Sequence, residues 1–187
     1  MVRRPGHHRA VSLRIVVSGA PGTGKTTVAT TLAERLALPL ITHDGIKEAL
    51  GDALGLGDEA WSDRLGDAAA EVLFQLVPSF PSVIAEGWWR RERRDRAIEC
   101  FAGWSEVFCR CEPELAAHRM RERRERDRHA IHRDVINPAM LDGAAAHAAM
   151  VSPLHLGGRL VEVDTSRSLA DADIDAVLDV LASSTDR

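Results

Sequence analysis

The chain has 187 residues, a formal net charge of −4, 45% hydrophobic residues and 28% charged residues. That is enough for one ordinary domain with a buried core. It excludes a bulk basic footprint for nucleic acid, offers no run of the roughly 18 apolar residues a membrane span needs, and, with only three cysteines, holds no disulfide framework.

The first residues, MVRRPGHHRAVSLRIVV, are basic but lack a long apolar core and a cleavage site. Residues 1–12 are therefore expected to form a disordered arm and 13–187 a single domain. Cys100, Cys109 and Cys111 read as small hydrophobes in a reduced, cytoplasmic protein. Residues 13–18 form an apolar run ending in glycine, a buried strand. A helix rich in Ala, Leu and Glu follows over 25–36, then a short strand over 40–42. Helices are expected over 45–54 and 59–77, the second burying a stripe of Trp61, Leu65, Ala68, Val72 and Leu76.

Pro78 and Pro81 interrupt the chain before a strand over 82–85 and a charged helix over 91–101. A strand over 106–111 leads to Pro113, which suits the first turn of an arginine-rich helix running to about residue 128. Asn137 reads as the N-cap of another helix. The last strand covers 160–163 and the last helix 169–181, with Ser168 and Asp171 as a variant capping box. Strands alternating with helices predict an α/β fold, a parallel sheet of about five strands covered on both faces. Ligands collect at the carboxyl ends of such strands. Gly19, Asp44, Glu86 and Asp164 each follow a predicted strand and should converge on one edge.

Gly19-Ala20-Pro21-Gly22-Thr23-Gly24-Lys25-Thr26 stands between strand and helix, the context the phosphate-loop motif requires. Gly22, Thr23, Gly24, Lys25, Thr26 and Thr27 are the expected nucleotide-binding set. Their N–H groups and the helix start cradle phosphates, Lys25 reaches the β- and γ-phosphates, and Thr26 ligates Mg²⁺.

The same loop serves motors, switches and kinases. No guanine-recognition Asn-Lys-x-Asp follows, since no lysine comes after Lys47, and the hydrophobic run SVIAEGWW ends in Glu86 rather than Asp. Three features favour transfer to a bound acceptor. Asp44, just beyond a strand, can accept the acceptor's hydroxyl proton, or cap the helix that follows. Lys47, one turn on, can hold the acceptor or a phosphate oxygen. Arg119 and Arg123, spaced i, i+4, share a helix face that can close over the transferring phosphoryl group, or pair with nearby carboxylates in solvent. Asp164-Thr165 ends the last strand, either as a contact to the nucleotide base or as an ordinary turn.

With these residues in order, the chain resembles the small P-loop kinases. Within them it resembles the bacterial group with an AAA-type ATP-binding domain, with gluconate kinase, chloramphenicol phosphotransferase, polynucleotide kinase and zeta-toxin kinases as more distant types. The segments that carry the resemblance are VSGAPGTGKTTVATTLAERLALPLITHDGIKEAL, VIAEGWWRRE, CRCEPELAAHRMRERRERDRHAIHRD and VEVDTS. The resemblance implies an adenylate-kinase-like sheet and a small arginine-rich lid over about 114–137. It implies ATP and Mg²⁺ as cofactors and a hydroxyl on a small molecule as acceptor. Asp44 matches the acceptor-side base, Arg119 and Arg123 the lid arginines, and Asp164-Thr165 the base loop. Glu86-Gly87-Trp88-Trp89 and Arg128-His129-Ala130-Ile131-His132 depart from the usual pattern.

Trp88 and Trp89 can stack on a planar or sugar-like acceptor, or pack in the core. Arg90, Arg91, Arg93, Arg94 and Arg96 crowd one helix start, where positive charge opposes the dipole. They read either as an anion-binding patch or as a solvated face. Three rival functions remain open: a polynucleotide or nucleotide kinase, which the net charge disfavours; an ATP-binding regulator without an acceptor; and a bare NTPase.

Overall fold

The computed structural model describes residues 12–126 and 128–183. The arm expected over 1–12 falls almost wholly outside them. Five parallel strands lie in the order β2-β3-β1-β4-β5, with β1 at Arg14–Gly19, β2 at Leu40–Thr42, β3 at Val83–Glu86, β4 at Ser105–Arg110 and β5 at Leu160–Asp164. Ile15 stands opposite Ile84 and Ser105, so β1 is central and buried on both faces. Its alternation fills two cores. Val16 faces a cluster with Val83, Ala85, Leu73, Phe74 and Phe101. Ile15 and Val17 face another with Val28, Leu32, Val107, Ile174 and Val177.

Helices α1 (Lys25–Leu36) and α8 (Asp171–Ala182) cover the second face; α3 (Glu59–Leu76) and α4 (Arg91–Cys100) cover the first. Helix α2 (His43–Leu54) packs along α3. Between β4 and β5 the chain makes α5 (Pro113–Arg126), the single turn α6 (Arg133–Ile136), a 3-10 segment (Pro138–Gly143) and α7 (Ala144–Met150). Ala117, Met120, Leu141 and Ala144 form a small cluster of their own there, apart from both main cores.

Every expected strand is present, each within a residue or so of its expected bounds. Four local expectations are corrected. The buried stripe of α3 is Ser62, Leu65, Gly66, Ala69, Ala70, Leu73 and Phe74, while Val72 and Leu76 are 43% and 41% exposed. Small residues let α3 approach its neighbours, and weighting by large side chains rotates the predicted face. Helix α2 starts at His43, because the Thr42 hydroxyl accepts from Gly45 N at 3.0 Å; Thr42, not Asp44, is its cap. Asn137 caps a 3-10 segment rather than an α-helix, accepting from Ala139 N. Helix α8 starts at Asp171, where Asp173 accepts from Ala170 N at 2.8 Å, so Ser168 is not its cap.

Candidate active site

Strand β1 delivers the chain to a loop whose shape glycine makes accessible. Gly22 and Gly24 sit at φ +82° and +75°, and a Cβ on Gly22 would stand 2.2 Å from the Ala116 carbonyl oxygen. The loop is therefore packed directly under the backbone of α5. Gly24 precedes α1 without a side-chain cap, leaving the first N–H groups of that helix directed into the loop. Thr23 is buried, its hydroxyl donating to Ala20 O at 2.8 Å. The Thr165 hydroxyl donates to Thr23 O at 2.8 Å, binding the end of β5 to the loop. Lys25 Nζ donates to Ala20 O at 2.9 Å and stands 4.0 Å from Glu86 Oε1. Burial lowers the Lys25 pKa despite Glu86 and Asp44 nearby, and burial raises that of Glu86 despite Lys25.

A cavity of about 600 Å³ opens over the loop, lined by Gly24, Lys25, Thr26, Thr27, Arg119 and Arg123 among others. Arg119 donates to Thr165 O at 2.9 Å, which fixes it against β5. Thr31, one turn beyond Thr27 on α1, and Arg167, Leu169 and Ile174 also line it and were not anticipated; the signal for the last three was only proximity to the β5 loop. Asp164 is corrected. It ends β5 at the expected edge, but its carboxylate accepts from Ser166 N at 2.9 Å, pairs with Arg110 at 3.4 Å, and lines a different surface hollow. Thr165 alone of that pair reaches the nucleotide cavity.

A second cavity, about 80 Å³, adjoins the first and shares Lys25, Thr26 and Arg123 with it. Asp44, Lys47, Glu86 and Trp88 line it as well. Asp44 accepts from Arg128 at 3.0 Å, and His43 Nδ1 lies 3.5 Å away. Burial alone would raise the Asp44 pKa, but the His43 contact and the Arg128 charge outweigh it and hold the carboxyl well below its ordinary value. Lys47 is buried and donates to Ser62 Oγ at 2.7 Å, which donates in turn to Ile131 O at 2.6 Å. Its side chain runs past Gly66 of α3, where an added Cβ would stand 3.9 Å from it, in ordinary contact. Burial brings the Lys47 pKa down to about 8.

Trp89 is corrected as a candidate acceptor contact. It is 6% exposed, stacked among Phe74 and Phe101 with ring centroids 5.3 Å from each, while its neighbour Trp88 points the other way, into the cavity. The arginine cluster after it divides. Arg90 and Arg93 turn into the cavity, Arg94 donates to Ser152 O, and Arg96 stays in solvent beside Glu99. Arg128 and Arg133 also line the cavity and were not singled out from the sequence. Arg128 bridges Asp44 and Asp134, at 3.0 and 3.2 Å. His132 Nε2 is 2.7 Å from Glu48, and His129 Nε2 is 3.2 Å from Asp52, so the histidine pair serves α2. Among the described residues no group of three or more His, Cys, Asp or Glu is arranged to hold a metal.

Residues 15–142 match the protein family described as an AAA domain. The chain belongs to that family. Its five-stranded sheet and phosphate loop are those of the small P-loop kinases. A candidate kinase from Chloroflexus aurantiacus j-10-fl is 30% identical, with a TM-score of 0.79 over 90% of this chain and 98% of that one. A gluconokinase from Sinorhizobium meliloti 1021 is 22% identical, with a TM-score of 0.60 over 93% of this chain and 94% of that one, a likeness of fold. A shikimate kinase from Paracidovorax citrulli (strain AAC00-1) is 37% identical over 86 residues; the match covers 42% of this chain and 45% of that protein, less than half of its length. Among the described residues no helix is long and apolar enough to cross a membrane.

Proposed function

We propose that this protein is an ATP- and Mg²⁺-dependent kinase that phosphorylates a hydroxyl of a small molecule. The observation that carries this reading is the shared wall of Lys25, Thr26 and Arg123 between the nucleotide cavity and the Asp44 cavity. In this reading, donor and acceptor meet there. The relatives named as kinases add the expectation of phosphoryl transfer.

The loop N–H groups and α1 hold the triphosphate, and Lys25 and Arg123 offset charge on the transferring group. Thr26, an exposed hydroxyl facing both cavities, and the Glu86 carboxylate are oxygen donors of the kind Mg²⁺ takes beside phosphates. The metal, when bound, neutralises phosphate charge. Asp44 orients the acceptor hydroxyl for in-line attack. A new acceptor O–P bond forms as the γ-phosphorus bond to the ADP oxygen breaks, and the hydroxyl proton passes to the Asp44 carboxylate. Its strongly acidic carboxyl makes it an orienting partner first, receiving the proton as attack nears completion. Residues 113–150, with their separate small core, act as the lid that brings Arg119 and Arg123 down and excludes water.

A screen of hydroxylated metabolites, aminoglycosides and nucleosides for stimulated ADP release, with product mass, tests the reading. Acceptor-dependent release lost in Asp44→Asn is expected; ADP release indifferent to every acceptor and to Asp44 would leave a nucleotidase or regulator instead.

A further inference from the structure

His43 is the first residue of α2, lines the Asp44 cavity and has no part in the chemistry above. Its Nε2 lies 2.9 Å from Gly66 O, and a carbonyl oxygen only accepts, so Nε2 carries the ring proton. Arg93 Nη1 donates to the same oxygen at 3.1 Å. Trp89 meets the imidazole edge-on, with 6.4 Å between ring centroids. These neighbours hold the ring in one orientation and one tautomer.

The other nitrogen, Nδ1, is then a lone pair when the ring is neutral, and it faces Asp44 Oδ1 at 3.5 Å. That distance is long for a hydrogen bond and suits two acceptors with no proton between them. The other Asp44 oxygen is engaged by Arg128 at 3.0 Å. The pair therefore has a seat for one more proton, and phosphoryl transfer to a hydroxyl supplies one.

Asp44 is poorly suited to keep that proton. Burial raises its pKa, yet the His43 contact and the Arg128 charge bring it well below the ordinary value. A proton between the two groups rests on the imidazole, the stronger base, and leaves the carboxylate ionised. Charged groups face this point from several elements: Asp44 and Lys47 on α2, Glu86 on β3, Lys25 on α1, Arg93 on α4 and Arg128 beyond α5. From α3 the ring meets the Gly66 carbonyl, while Asp63 and Asp67 there pair with Arg90 and Arg93. The carboxylates hold a captured proton, and the cations favour its release.

We propose that His43 is a positioning residue behind Asp44 and the store for the proton that the acceptor gives up. This rests on the reading of the Asp44 cavity as the acceptor site. An electron pair of the hydroxyl oxygen forms the bond to the γ-phosphorus, and the bond to the ADP oxygen breaks with its pair. The hydroxyl proton passes through the Asp44 carboxylate to Nδ1. The step ends with an imidazolium, an ionised Asp44, ADP and the phosphorylated acceptor. The imidazolium returns its proton to solvent through the cavity once the product has left.

Water is the smallest hydroxyl that enters the cavity, so slow MgATP hydrolysis by the full chain is the probe. His43→Gln supplies an amide that can still donate to Gly66 O but cannot take up a proton. It should lower kcat for hydrolysis by ~10-fold or more and leave the KM for ATP unchanged. In the native chain kcat should fall on the acid side of neutrality as solvent protons fill Nδ1; His43→Gln should lack that limb. His43→Asn carries the same test should His43→Gln not fold. Nitrogen NMR of the imidazole in the resting full chain, at about pH 7.5, should show Nε2 protonated and Nδ1 bare. An unchanged kcat, an acid limb that survives the substitution, or an Nδ1 already protonated at rest overturns the proposal. Hydrolysis too slow to follow leaves the Nδ1 signal to decide alone. Hydrolysis that depends on His43 in the expected way, with ADP release that no hydroxylated compound stimulates, sustains the proton store and refutes the kinase reading. Acceptor-stimulated release indifferent to His43→Gln does the reverse.

Discussion

The two halves of the proposed site are made in different ways. The donor half is largely one continuous segment, Gly19 to Thr27, in which backbone geometry does the binding. The proposed acceptor half is assembled from side chains that arrive from α2, the β3–α4 turn, α4, α5, the α5–α6 connection and α6. A backbone cradle tolerates changes in neighbouring side chains but not a lost glycine. An assembled pocket can change its ligand through single substitutions while leaving the nucleotide in place. The difference teaches where specificity resides: a phosphate loop can be shared among many chains, and the acceptor wall is individual.

Substitutions on either side should therefore separate in their effects. The largest is expected for Asp44→Asn, a loss of ~10²–10⁴-fold in kcat with ATP affinity retained by calorimetry. Equal loss of ATP binding would break the division between halves. Arg123→Met, on the shared wall, should lower kcat by ~10²-fold with lesser changes in both binding constants, read by steady-state kinetics. Gly22→Ala should weaken ATP binding by ~10-fold or more, through the left-handed backbone and the clash with Ala116 O, and leave acceptor binding measured without nucleotide unchanged.

The smallest effect is a pH dependence. Burial brings Lys47 down to about 8, and its charge helps hold the acceptor or a phosphate oxygen only below that value, so acceptor kcat/KM should fall as pH rises through about 8. Lys47→Met should flatten that limb while the ATP affinity keeps its own profile. The stability consequence has the opposite sense. The unfolded lysine, with its ordinary pKa of 10.5, holds its proton over a window in which the folded one has released it. The Lys47 contribution to stability should therefore rise between about pH 8 and 10.5, read as the difference between the native chain and Lys47→Met in denaturant titrations.

The donor half was legible because it is local. Spacing, glycines and the strand–helix context all lie within a dozen residues. Asp44, Lys47 and Glu86 were legible through a fold rule, since parallel strands gather ligands at their carboxyl ends. The arginines of the acceptor wall were not. Arg90, Arg93 and Arg96 look alike along the chain, and only the path of α4 across the cavity separates Arg90 and Arg93 from Arg96. Arg128 lies 84 residues from Asp44, and no local pattern announces their pairing. Trp88 and Trp89 differ by one step of an extended segment, which sends one ring to the cavity and the other to the core. The misjudged face of α3 has a related origin, since Gly66, Ala69 and Ala70 mark close approach but carry little apolar weight.

Glu106 is the second residue of β4 and almost fully buried. Its carboxylate accepts from Ser18 Oγ at 2.5 Å, from Leu154 N at 2.9 Å and from His155 N at 3.1 Å. At the other end of the lid segment, Glu112 N donates to Ser166 Oγ at 3.1 Å. The chain between 113 and 150 is thus moored to the sheet on both sides, and the mooring beside β1 is a buried side chain. Arg119 adds a third tie, from α5 to Thr165 O at 2.9 Å. For the proposed lid to open, the Arg119 tie is the one that must break, while the backbone moorings at Glu106 and Glu112 hold the two ends of the chassis in place.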